Sequence, residues 1–262
     1  MTPRSLKRHD YPDRLQRVPT WKLTLEYDGT RFRGWQSQKN TDKTVQAVLL
    51  HAAQEVLGDD ATCGGAGRTD AGVHALAQVA HLRARRAMPA ADLVWKLNEA
   101  LPFDVNVLAA EAAAPRFHAR HDAKSRTYLY RFSRRRTAFD KRLVWWVKDR
   151  LDAAAMRRAA RLFEGRHDFA SFCENPEGQE STLVVVEKSD VLDRDDSQEI
   201  HFRITASHFL WKMVRRLAGT LAEVGRGNLD AAGVERLLRE KSDAPAKWTA
   251  PPSGLFLESV RY

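Results

Sequence analysis

Residues 64 to 75, GGAGRTDAGVHA, gather the side chains from which a polar reaction could be run. Asp70 offers a carboxylate able to act as nucleophile or base, with Arg68 and His74 beside it. Gly64, Gly65, Gly67 and Gly72 let the chain bend sharply and let another backbone come close. No Gly-Lys-Ser/Thr follows at the required spacing, so this is not a Walker phosphate loop. Taken alone, the segment reads more readily as a glycine-rich turn between strands, with Asp70 bonding its own backbone. Tyr128 alone reads as a core strand residue. Arg215 and Arg216 alone read as the solvated face of an amphipathic helix. His118 and His121 have the spacing of one helical turn, but no cysteine or carboxylate set completes a metal site.

The 262 residues can form one large domain or two ordinary ones, with a core that needs no staples. A surplus of 43 Lys and Arg over 34 Asp and Glu, +9 in all, points to a polyanionic partner. The charge is concentrated: residues 111–150 carry 12 basic and 4 acidic side chains, with Arg134, Arg135 and Arg136 consecutive. Cys63 and Cys173 form no CxxC pair, which signals neither a disulfide framework nor a zinc site and suits a reducing cytoplasm. No apolar run approaches membrane-spanning length, and residues 1–18 read as a basic, flexible tail.

The elements that must position these side chains follow from periodicity. WKLTLEYD from Trp21 alternates as a half-buried strand does. Val45, Val48, Leu49, Ala52, Val56 and Leu57 have helical spacing between Thr44 and Gly58. A short strand at Thr62 and Cys63 leads into the glycine-rich loop, and Ala77 to Arg83 form the next strand. A helix from Ala91 to Leu101 stops at Pro102, and VNVLAA from Val105 is a fourth strand. The order is β-α-β-β-α-β, a ferredoxin-like unit. The second half repeats the order without repeating the sequence: strand TYLYRFS, helix Asp152 to Phe163, strands TLVVVEKSDVL and IHFRITA separated by a turn at Asp193, Asp195 and Asp196, helix Phe209 to Glu223, a short helix near 230–240, and a closing strand GLFLESVRY. The fold class expected is α+β, two ferredoxin-like halves (19–112 and 113–262) with a mainly antiparallel central sheet and a cleft between them.

The run GRTDAGVHA resembles the active-site signature of the TruA family of tRNA pseudouridine synthases. The resemblance extends in order through EYDGTRFRGWQSQ (26–38), TVQ (44–46), FHAR (117–120), SRTYLY (125–130), EGRHDFASF (164–172), MVRRLAGTL (213–221) and APPSGLFLESV (250–260). It implies the pseudouridine synthase fold and isomerisation of uridine in the anticodon stem-loop of tRNA, at positions 38, 39 and 40, by a homodimer. It implies Asp70 as the catalytic aspartate, Arg68 two positions before it, Tyr128 as the active-site tyrosine that stacks on the target base and assists proton transfer, Arg215 as the arginine paired with the aspartate, and Leu255 as an apolar wall of the site.

That chemistry suits these residue types. Moving uracil from an N- to a C-glycosidic bond changes no oxidation state and consumes no water, so it demands no redox cofactor, metal or nucleotide. A paired arginine favours the ionised form of a carboxylate in a cleft that otherwise disfavours charge. An aromatic face offers a platform for an extruded uridine, and an apolar neighbour keeps water away. Arg68 suits the gap left by the extruded base, or a backbone contact. Three routes stay open for Asp70: attack on the sugar, addition to the base, or removal of a sugar proton. Phosphate contacts are expected from Lys124, Arg126, Arg131 and Arg134 to Arg136, with Lys212 a further candidate for substrate contact.

The chain departs from the family at Thr182 to Val186, where relatives often carry Thr-Val-Arg-Thr-Ile, so that Val184 replaces an arginine. His208, Trp211 and Lys212 occupy positions that vary in character among relatives. Two rival readings therefore stand: the same chemistry on another RNA such as ribosomal RNA, and a non-catalytic RNA-binding protein of the same fold.

Overall fold

A computed structural model describes residues 18–194 and 196–262. The tail expected at residues 1–18 falls, apart from Val18, outside the described residues, as does Asp195. In chain order the elements are β1 (Thr20–Tyr27), α1 (Val45–Leu57), β2 (Thr62–Gly65), β3 (His74–Arg83), α2 (Ala90–Ala100), β4 (Val105–Ala112), β5 (Ser125–Ser133), β6 (Trp145–Trp146), α3 (Ala153–Arg161), β7 (Gly165–Asp168), β8 (Leu183–Arg194), β9 (Glu199–Ala206), α4 (Met213–Arg226), α5 (Ala231–Arg239), α6 (Ala244–Lys247) and β10 (Leu255–Arg261).

Local chemistry accounts for the boundaries. The Thr44 hydroxyl accepts from the Ala47 amide at the start of α1, and Gly58 ends it at φ +110°. Asp152 and Asp230 cap α3 and α5 in the same way. The helix expected from Phe209 begins instead at Met213, because Lys212 takes a left-handed conformation (φ 60°) that no helix interior accepts. It runs on to Arg226, where Gly227 at φ +81° stops it. β3 starts three residues earlier than its alternation predicts, at His74, and the two short strands β6 and β7 carried no signal of their own.

The strands form one sheet in the order β4-β1-β3-β10-β5-β9-β8-β7, with β2 on β3 and β6 on β5. Numbered within each half, β4-β1-β3-β2 and β10-β5-β9-β8 have the same spatial order, 4-1-3-2. The two sets meet where β10 runs parallel to β3 for only two pairs, Phe256 with His74 and Leu257 with Ala75. The row Tyr27, Ala75, Leu257, Tyr128, Ile204 crosses five strands in register on the face that packs against the helices. The adjacent row His74, Phe256, Leu129, Arg203 points to the opposite face. Both halves thus put their helices on one face of one sheet, and the expected cleft is a groove over the seam.

The segment before β10 braces α4. A Cβ on Gly219 would lie 1.6 Å from the Trp248 carbonyl oxygen, so the helix and this segment touch backbone to backbone. Gly219→Ala should therefore cost about 3 kcal/mol, the upper end of the range for overpacked cores. Chemical denaturation of the purified variant would measure it, and an unchanged midpoint would contradict this packing.

Candidate active site

Asp70 lies in the loop between β2 and β3, and that loop is tied along its length. The Ala66 amide donates to Val79 O (2.7 Å) and the Trp35 amide to Thr69 O (3.0 Å). Gln78 Nε2 donates to Gly67 O (3.0 Å), and the Tyr27 and Thr69 hydroxyls are 2.8 Å apart. The Val73 amide closes a turn on Asp70 O (3.1 Å), with Gly72 at φ +77°. Gly34, at φ +97°, brings its backbone so close that a Cβ would sit 2.6 Å from Thr69 O. The backbone of Asp70 is thereby held while its carboxylate reaches into the groove.

Arg215 reaches Asp70 from the other half. Its Nη1 stands 3.5 Å from Asp70 Oδ2, a loose spacing of the kind catalytic pairs show before substrate binds. Its Nε donates to Ala250 O (2.8 Å), and the Ala250 amide donates back to Arg215 O (3.1 Å). The Tyr130 hydroxyl donates to Pro251 O (2.8 Å), fixing the same segment to β5. Neither Arg215 nor Arg216 lies on a solvated face. Arg216 is buried, with Nη1 donating to Cys173 O (2.6 Å) and Nη2 paired with Glu174.

Tyr128 and Leu255 form the floor between the two walls. Tyr128 meets Phe209 edge-on at 4.9 Å. Burial, reinforced by Tyr27 and by the negative charge of Asp70, pushes its phenol well above the ordinary value and keeps it protonated. Arg68 is exposed at the rim, with Nε donating to Gln36 Oε1 (3.1 Å). The groove encloses about 1020 Å³ and takes lining residues from both halves.

Of the residues expected from sequence, Asp70, Arg68, Tyr128, Arg215, Leu255, Arg126 and Lys212 all line this groove. Lys124 and Arg131 do not. The Lys124 side chain is exposed elsewhere, and Arg131 lies on the opposite face of β5 from Tyr128, its guanidinium held by both oxygens of Glu199 (2.9 and 2.8 Å). Val184 faces the core at 1% exposure, so no RNA contact arises there. Sequence reasoning missed Gln36 and Gln78, whose only signal was their place in or near the quoted motifs, and it took Phe209 for a helical core residue. Among the described residues, no three His, Cys, Asp or Glu side chains are grouped so as to hold a metal ion.

The sequence profile of the tRNA pseudouridine synthases matches residues 24–122 and 159–262. A Bacillus cereus protein named tRNA pseudouridine synthase A 2 is 35% identical over 244 residues, covering 92% of this chain and 99% of its own length. A Brucella anthropi protein named tRNA pseudouridine synthase A is 39% identical over 250 residues, covering 94% and 98%. The chain belongs to the tRNA pseudouridine synthase family. For a member of this family, the groove over the seam, with its carboxylate, arginine and buried tyrosine, is the candidate active site.

Arg126 has a job that its charge did not suggest. Its Nη1 donates to Ala123 O (3.3 Å) and Ser207 O (2.9 Å), and its Nη2 to Ala66 O (2.8 Å) and Arg120 O (2.7 Å). One guanidinium thus joins the start of the Asp70 loop to the segment that leads into α4. Arg126→Met should speed amide hydrogen exchange across residues 64–73 while leaving the salt dependence of tRNA binding unchanged. A fall of about 0.9 in the log–log salt slope would instead reveal a phosphate contact.

Beside the groove, His81 Nδ1 accepts from the Ala119 amide (3.2 Å), and its ring lies 4.5 Å from that of His118. Burial, with help from Arg83 and His118, pushes His81 from the ordinary 6.5 down to about 4. The folded value lies below the unfolded one, so the neutral ring contributes fully above about pH 6.5 and its contribution is lost as the pH falls toward 4. Unfolding free energy should be lower near pH 5 than near pH 7, and His81→Gln should shrink that difference. An equal difference in the variant would assign the pH dependence to other groups.

Proposed function

We propose that this protein isomerises uridine to pseudouridine in the anticodon stem-loop of tRNA, with Asp70 as the catalytic carboxylate. The observation that carries the reading is the Asp70–Arg215 pair at 3.5 Å, made between the two halves at the centre of a groove floored by Tyr128. In the reaction the N1–C1′ bond breaks and a C5–C1′ bond forms, while C5 gives up its hydrogen and N1 gains one. Asp70 serves the reacting nucleotide, and Arg215 holds its carboxylate in position. Tyr128 provides an aromatic face and a neutral hydroxyl for an extruded uracil, and Leu255 keeps water from the intermediate. Arg68, at the rim, suits the gap that the extruded base leaves.

An RNA substrate is supported by the net charge of +9 and by a groove open enough to admit a nucleotide still joined to its neighbours. The anticodon arm, with uridines 38, 39 and 40 as targets, follows from the sequence motifs shared with the TruA family. So does a homodimer in which the second copy holds part of the same tRNA. A cytoplasmic setting suits the two free thiols, Cys63 and Cys173. No described helix is long and apolar enough to cross a membrane.

Transcripts tritiated at uridine C5 should lose tritium to water when incubated with the protein, and Asp70→Asn should bind tRNA while releasing at least about a thousandfold less, the scale of losing a group that acts only in the transition state. Release from ribosomal RNA but not tRNA would favour the other substrate. No release from either would favour the non-catalytic reading, and an active Asp70→Asn would remove Asp70 from its role.

A further inference from the structure

Six residues, 207–212, connect β9 to α4 along the groove wall and present an indole to the groove. Of the seven tryptophans, Trp211 is the one that lines the groove, and it is 51% exposed, whereas Trp21 and Trp35 are buried in the core. An aromatic ring left half in water gains nothing from the core, yet its surroundings fix it in place. The Glu174 amide donates to Trp211 O (2.9 Å). Lys212 holds the left-handed φ of 60°, and its Nζ lies 5.4 Å from the Trp211 ring centroid while donating to Glu174 Oε1 (3.0 Å). The other oxygen of Glu174 pairs with Arg216 of α4. Glu174 thus occupies both nearby cations, so this part of the rim offers a rigid aromatic face rather than free positive charge. A lysine backbone in the left-handed region is a conformation that persists only where its surroundings enforce it.

We propose that Trp211 stacks on an unpaired nucleobase adjacent to the uridine held at Asp70, and so helps position the substrate strand. Arg215, the partner of Asp70, lies four residues further along the chain, and Trp211, Arg215 and Asp70 line the same groove, which places the stacking face beside the reacting centre. Stacking tolerates any base, because every base has a π-face, but it favours the larger purines. This inference rests on the reading of the groove as an RNA site. It adds a contact that positions substrate and takes no part in bond making.

The test uses the full chain and unmodified tRNA transcripts. In an Asp70→Asn background, Trp211→Ala should weaken tRNA binding about tenfold, within the range for loss of one stacked base. Trp211→Phe should lie close to the parent, and Trp95→Ala, at an exposed tryptophan on α2, should match it. With Asp70 intact, Trp211→Ala should raise KM for tritium release and leave kcat within about twofold. Indole emission should fall on adding tRNA to the wild type and fall less in Trp211→Phe. Binding by Trp211→Ala within twofold of the parent, or equal losses for Phe and Ala, would overturn the proposal. If the wild type released no tritium, the enzymatic reading would fail by itself, and the binding and emission comparisons in the Asp70→Asn background would still decide the role of Trp211.

Discussion

The ion pair between Asp70 and Arg215 joins residues 145 positions apart, and each is supplied by a different half of the sheet. A charge pair of this kind is sensitive to small displacements, since the energy of a partly buried pair depends on both distance and screening. The protein answers with backbone constraints on each partner. Asp70 is set by the amides and hydroxyls of Trp35, Tyr27 and Val73 acting on its loop, and Arg215 by a reciprocal exchange with Ala250. The backbone of each partner is in place before substrate arrives, which is the form preorganisation takes in a site built from loops.

Three arginines around the groove illustrate how little charge alone says about role. Arg215 divides its guanidinium between a carboxylate and a carbonyl, Arg216 is buried against Cys173 O and Glu174, and Arg126 donates to four carbonyls from three segments. The planar fork of donors makes each a multi-way connector, which a lysine could not replace. Carbonyls at the ends of strands and turns would otherwise be left with poor partners, and satisfying them with one cation orders the loops that border the site. A basic composition therefore serves the interior of the site as well as its attraction for RNA.

Much of the fold was legible because its signals are local. Alternation marked β1, and helical spacing between Thr44 and Gly58 marked α1. The β-α-β-β-α-β order followed from these in both halves. What could not be read depends on pairing between distant segments. The start of β3 at His74 is set by two parallel rungs to β10, and the late start of α4 by a left-handed Lys212 that Glu174 holds. The site was legible as a set of residues through motif resemblance, and Asp70, Tyr128, Arg215 and Leu255 do lie together. Arg131 escaped correct placement because face along a strand is decided by register, and Arg126 because a charge in a basic segment looks the same whether it meets phosphate or carbonyl.

The groove itself follows from how two such units can join. Each half covers its strands with its own helices, and all of these lie on one face. When the units meet edge to edge, through β3 and β10, the helices of each remain over their own strands, leaving the strands at the seam without a helix above them. The side chains there, Tyr128 and Leu255, are buried and line the groove together with loop residues and the first turn of α4. The floor itself is apolar, while charged and polar side chains from both halves line the walls of the groove. The same junction that leaves this gap is the one that brings the Asp70 loop and Arg215 to its opposite sides, so the candidate site draws its two charged groups from different halves.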